Sequence, residues 1–124
     1  MFNKKQSLLD QFETVTEYFS PRIIGEVNDS YVKIAKIKGD DIPWHAHADE
    51  DELFYVVRGA MIMEVKGQEA VDLGEGDIFI VKHGAEHRVH SKEECWIMLV
   101  EQKGTKHTGD VDSAITRSIE EQRY

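Results

Sequence analysis

Four residues near the middle of the chain carry donor atoms at a spacing that chemistry can use. His45 and His47 are separated by one residue, Glu52 follows five positions later, and His87 lies forty residues beyond His47. In a strand, residues i and i+2 point to the same face, so His45 and His47 project side by side into one interior. Glu52 sits at an odd offset and could not share that face if the strand ran straight on. The acidic turn Asp49-Glu50-Asp51 reverses the chain and lets Glu52 open the next strand beside the pair. His87 opens another strand after a turn containing Gly84. Three imidazoles and a carboxylate converging inside a small barrel make a donor set for one divalent transition metal ion, with Fe, Mn, Zn and Ni all acceptable to these ligands. The set leaves a net charge of about +1 on the ion and, in an octahedral field, two adjacent open positions. Each piece alone is weak, because an H-x-H pair is commonly a surface accident and a lone interior His is more often a hydrogen-bonded core residue.

The same parity places the neighbours. Phe54 and Val56 share the face of Glu52, and Val89 shares that of His87, which predicts an apolar pocket behind the metal. Trp44 either caps the mouth or packs on the core. Arg88 and His90 have the wrong parity for the cavity and are expected outside; His83 reads as a solvated loop residue, and His107 belongs to the C-terminal arm. Glu64 is expected to face solvent, so no second acid–base group declares itself inside the barrel. Cys95, in an apolar strand, reads as an inert buried thiol.

These residues need a scaffold, and the chain's punctuation supplies one. From Ile23 to about Glu101, short runs alternate with turn signals: Ile23–Val27, Tyr31–Lys38, Leu53–Arg58, Met61–Val65, Glu69–Leu73, Asp77–Val81, His87–Ser91 and Cys95–Glu101. With a short strand through His45 and His47, this predicts about nine strands, an all-β antiparallel jelly roll or β-barrel rather than βαβ units. Ahead of it, Leu8, Leu9, Phe12, Val15 and Phe19 recur near a helical period, predicting a helix over 8–19 that Ser7 caps and Ser20-Pro21 stops. Residues 102–124 are read as a C-terminal arm with a short helix packed on the outside of the barrel.

Composition closes off other classes. The 124 residues fit a single domain, 1–124, and 15 Lys+Arg against 24 Asp+Glu give a formal charge of -9. That charge argues against nucleic acid and anionic lipid as partners. The longest strictly apolar run, Cys95 to Val100, is too short to span a membrane. The N-terminus has no apolar signal core, and the single Cys excludes an internal disulfide; both point to a reducing, cytoplasmic setting.

The glycines complete a signature. Gly39, His45, His47, Glu52 and Gly59 stand at every defining position of the first motif of the cupin superfamily, and Gly76, Gly84 and His87 resemble the second. Lys82 and Ser91 stand where that second motif usually has Pro and Asn. The resemblance implies a β-barrel whose mouth holds a metal on His45, His47, Glu52 and His87. It also suggests a homodimer, with the N-terminal helix and exposed strand edges as candidate contacts. Two functions fit: a metal-dependent enzyme on a small oxygen-rich metabolite, dioxygenase or sugar/keto-acid isomerase-like, or a non-catalytic binding module for a sugar or other metabolite.

Overall fold

A computed structural model describes residues 3–104. Its elements are a short helix, Leu8–Phe12 (α1), and seven strands: Arg22–Val27 (β1), Ser30–Gly39 (β2), Glu52–Arg58 (β3), Ala60–Val65 (β4), Val71–Gly74 (β5), Ile78–Val81 (β6) and His87–Gln102 (β7). All strand pairings are antiparallel, as the turn-punctuated sequence predicts. The larger layer runs β1-β2-β7-β3-β6, and the smaller one is formed by β5, β4 and the first part of β7.

β7 joins the two layers. His87 to His90 pair with β4, whereas Ser91 and then Cys95 onward pair with β2, and Trp96 to Glu101 also with β3. The sequence predicts two strands here, His87–Ser91 and Cys95–Glu101; they are one, because Ser91 already pairs with Gly39 of β2 and the exposed Lys92, Glu93 and Glu94 form an extended, irregular step in that pairing before Cys95 meets Ile37. The short strand expected through His45 and His47 reduces to a single bridge, His45 to His87. The barrel core between the layers includes Ile37, Phe54, Val56, Met61, Met63, Val89, Ile97 and Leu99.

Gly59 shows why one turn tolerates no side chain. Its φ is +88°, and a Cβ there would lie 2.7 Å from the carbonyl oxygen of Glu94.

The N-terminal segment departs from its expected helix over 8–19. Ser7 does cap α1, its hydroxyl accepting from the Asp10 amide at 3.3 Å, but the helix ends at Phe12. Amides 13 to 15 bond back only three residues, and the Thr14 hydroxyl donates to the Gln11 carbonyl at 2.7 Å. The β-branched run Thr14-Val15-Thr16 favours extended backbone. The apolar stripe then serves two cores. Phe12 stacks on Trp96 with ring centroids 4.8 Å apart and packs with Val15, Ile24 and Ile34 outside the larger sheet. Phe19 enters the barrel instead, turned by a φ of +54° and held by its amide's 2.9 Å bond to the Lys36 carbonyl. The C-terminal arm, including His107, lies outside the described residues. Among the described residues, no helix is long and apolar enough to cross a membrane.

Candidate metal centre

The smaller sheet and the loop after β2 bring the donors together. The backbones of His45 and His87 exchange two hydrogen bonds, at 3.0 and 2.8 Å. The Gly84 amide donates to the His47 carbonyl at 2.7 Å, tying the turn before His87 to the H-x-H segment. Glu52, the first residue of β3, faces inward with Phe54 and Val56. The donor atoms of His45, His47, Glu52 and His87 lie within 4.8 Å of one another, and all four residues are buried.

Hydrogen bonds to carbonyls select the imidazole tautomers. Nδ1 of His45 donates to the Pro43 carbonyl at 2.8 Å and Nδ1 of His87 to that of Ala85 at 2.9 Å. Both rings then offer the lone pair on Nε2. Nε2 of His87 and Oε1 of Glu52 are buried without hydrogen-bond partners, an arrangement that costs free energy unless something else meets them. Glu52 Oε1 stands 3.5 Å from Nε2 of both His47 and His87. These converging donor atoms fit a metal ion. Burial pushes His45 down to about 4, so its ring is neutral at pH 7.

Behind Glu52 stands a group that sequence reasoning missed. Glu101 is its direct partner on β7, buried, with Lys33 Nζ 2.9 Å from Oε1. Burial and the neighbouring Glu52 charge push Glu101 well above the usual carboxylate range. The expectation of no second acid inside the barrel is therefore corrected. The signal was available: Glu101 shares parity with Cys95, Ile97 and Leu99, and Lys33 with Ala35 and Ile37, all buried.

A cavity of about 40 Å³ opens beside the cluster, with His45, Glu52 and His87 on one side and Phe54, Val89, Ile37, Leu99 and Phe19 among its apolar walls. Of the four residues expected in the pocket, Phe54 and Val89 line it; Val56 and Trp44 do not. Val56 lies farther along β3, fully buried in the core. Trp44 precedes inward-facing His45 and turns outward, half-buried beneath Arg88 and Lys66, whose charged ends lie 4.9 and 5.5 Å from its ring centre. Arg88 and His90 are on that outer side too, 2.6 and 3.2 Å from Glu64 Oε2.

The departures from the motif have visible consequences. Lys82 Nζ donates to Asp51 Oδ2 at 2.5 Å, and the amide of His83 donates to Oδ1 at 2.9 Å, so the loop is latched to the acidic turn that delivers Glu52. His83 is exposed and joins this latch rather than the metal cluster. Ser91 Oγ is buried without a hydrogen-bond partner. The His87 turn is held instead by Gly84 and Ala85. Cys95 is fully buried, and burial pushes its thiol up to about 11, as an inert residue requires.

Comparison with known proteins agrees with this architecture. The chain is 35% identical over 101 residues to YdbB of Bacillus subtilis (strain 168), covering 82% of this chain and 88% of that one. A cupin-2 domain containing protein from Shewanella frigidimarina matches with a TM-score of 0.75 and 36% identity, over 79% of this chain and 94% of that one. KdgF from a Halomonas species matches with a TM-score of 0.58 and 28% identity, over 67% and 79%. The cupin domain model matches residues 35–101, a span that holds all four clustered donors, and the chain therefore belongs to the cupin family.

Proposed function

We propose that this cupin binds one divalent transition metal ion, Fe, Mn, Zn or Ni, on His45, His47, Glu52 and His87 and acts as an enzyme on a small oxygen-bearing metabolite. The observation that carries the reading is the convergence of Glu52 Oε1 and the imidazole Nε2 atoms on one buried point beside an apolar cavity. When bound, the metal would supply Lewis-acid or redox chemistry to substrate oxygens. The protein's own part is binding and exclusion of water. Phe54, Val89, Leu99 and Phe19 take the carbon portion of the ligand, and the small cavity limits its size. Neutral His45 adds no charge of its own to the site.

A second reading is a binding module that captures such a metabolite without turning it over. It is favoured by the cavity lining, which offers no ionisable side chain beyond the donors themselves. Two further parts of the proposal are a homodimer, supported by Ile78 and Ile80 exposed on edge strand β6, and a cytoplasmic setting, supported by the lone buried Cys95.

Metal analysis of protein purified without chelators tests the first step. Less than about a tenth of an equivalent, with no uptake of added Fe, Mn, Zn or Ni, overturns metal binding. Oxygen-uptake and product screening of the loaded protein with small hydroxy and keto acids and sugars separates the two readings: product supports the enzyme, and stabilisation by a ligand without product supports the module. Light scattering at tens of micromolar reads the dimer.

A further inference from the structure

Three ionisable side chains stand in a row across three adjacent strands inside the barrel. Glu52 on β3 is directly opposite Glu101 on β7. Lys33 on β2 is opposite Leu99, which places it diagonal to Glu101. Lys33 Nζ and Glu101 Oε1 are 2.9 Å apart at side-chain exposures of 0% and 1%. Glu101 and Glu52 are both buried, so their side chains stand next to each other inside the barrel. Neither Lys33 nor Glu101 lines the cavity or joins the donor cluster, so neither touches a ligand or ion there.

A buried Lys–Glu pair is a poor way to stabilise a barrel. Well-packed apolar residues of similar volume are often as good or better, and Ala35, Ile37, Ile97 and Leu99 show what the same faces carry elsewhere. What apolar residues could not do is hold a carboxylate by its polar atoms. Glu52 carries its carboxyl at the start of a strand, and its Oε1 faces Nε2 of both His47 and His87, 3.5 Å away. We infer that the Lys33–Glu101 pair is a positioning device for Glu52: Lys33 anchors Glu101, and Glu101 holds the Glu52 carboxyl turned with Oε1 toward the imidazoles. This rests on the metal-binding reading above.

The test compares wild type, Glu101→Gln, Glu101→Leu and the double variant Lys33→Met/Glu101→Leu, using metal titration by calorimetry, Cu(II) EPR spectra and thermal unfolding of the metal-free chains. Glu101→Leu should weaken metal binding by about tenfold or more, the usual effect of losing a group that orients a ligand. Glu101→Gln, whose amide can still meet Glu52 on one side and Lys33 on the other, should retain most of the affinity. The double variant removes the stranded Lys33 charge, so it keeps a stable fold even where Glu101→Leu alone does not. It should still bind metal weakly, with an altered EPR spectrum. A double variant with wild-type affinity and spectrum would overturn the positioning role while leaving the metal site intact. Wild type that takes up no metal overturns the metal reading and this inference together.

Discussion

His45 and His87 hold each other by their backbones, not by their rings. The two amides and two carbonyls form an isolated antiparallel bridge, and the rings sit with centroids 4.3 Å apart as a result. Removing a ring therefore leaves the frame. His47→Ala, which keeps the bridge and the Gly84 bond to the residue-47 carbonyl, should abolish stoichiometric metal while the far-ultraviolet circular dichroism of the barrel is unchanged. Retained metal at one equivalent would show that the donor assignment is wrong.

Acid should weaken the metal-free fold through His45. Its folded value is about 4 against 6.5 in the unfolded chain, so between those limits the unfolded state binds more protons. Stability is fully present above about pH 6.5 and falls as pH drops toward 4, by on the order of 3 kcal/mol for this group. Urea midpoints of the metal-free protein measured from pH 7 to 4.5 check this. A flat profile would mean that His45 is solvated.

Two glycines with the same backbone sign separate strain from collision. Gly59 and Gly67 have φ of +88° and +91°, but only at Gly59 would a Cβ meet backbone, the Glu94 carbonyl at 2.7 Å. Gly67→Ala should cost about 1 kcal/mol of left-handed strain. Gly59→Ala adds the displacement of β7 at its crossing point and should cost roughly 1–3 kcal/mol more. Equal urea midpoints for the two variants would contradict the close approach.

The strands and the donor spacing were legible because both depend on local rules. Alternation places Phe54 and Val56 beside Glu52, and turn glycines mark where strands end. What was not legible depended on where the chain goes next. The stripe from Leu8 to Phe19 has helical spacing, yet Phe12 and Phe19 belong to different cores on opposite sides of one sheet. Lys92-Glu93-Glu94 separates two predicted runs, but β7 continues through it as an irregular step in its pairing with β2. Val56 has the right parity but lies too deep, so facing inward is not the same as lining the cavity. Lys33 and Glu101 break the apolar parity of two strands, and only the register shows that Glu101 lies opposite Glu52 with Lys33 diagonal to Glu101.

Phe19 is where the segment before the barrel reaches the site. It adopts a left-handed φ of +54°, lies 4% exposed, and forms part of the wall of the cavity that the donors also line, outside the span matched by the cupin domain model. Phe19→Ala should destabilise the fold by about 3 kcal/mol through the lost ring and the space it leaves. Phe19→Leu, which keeps most of the volume, should cost under about 1.5 kcal/mol. The ring also limits what can stand beside the metal cluster. Metal-loaded wild type should bind acetohydroxamate better than benzohydroxamate, and Phe19→Ala should narrow or reverse that preference with metal content unchanged. Calorimetric titration of both ligands reads the ratio, and an identical ratio in both proteins would remove Phe19 from the pocket wall.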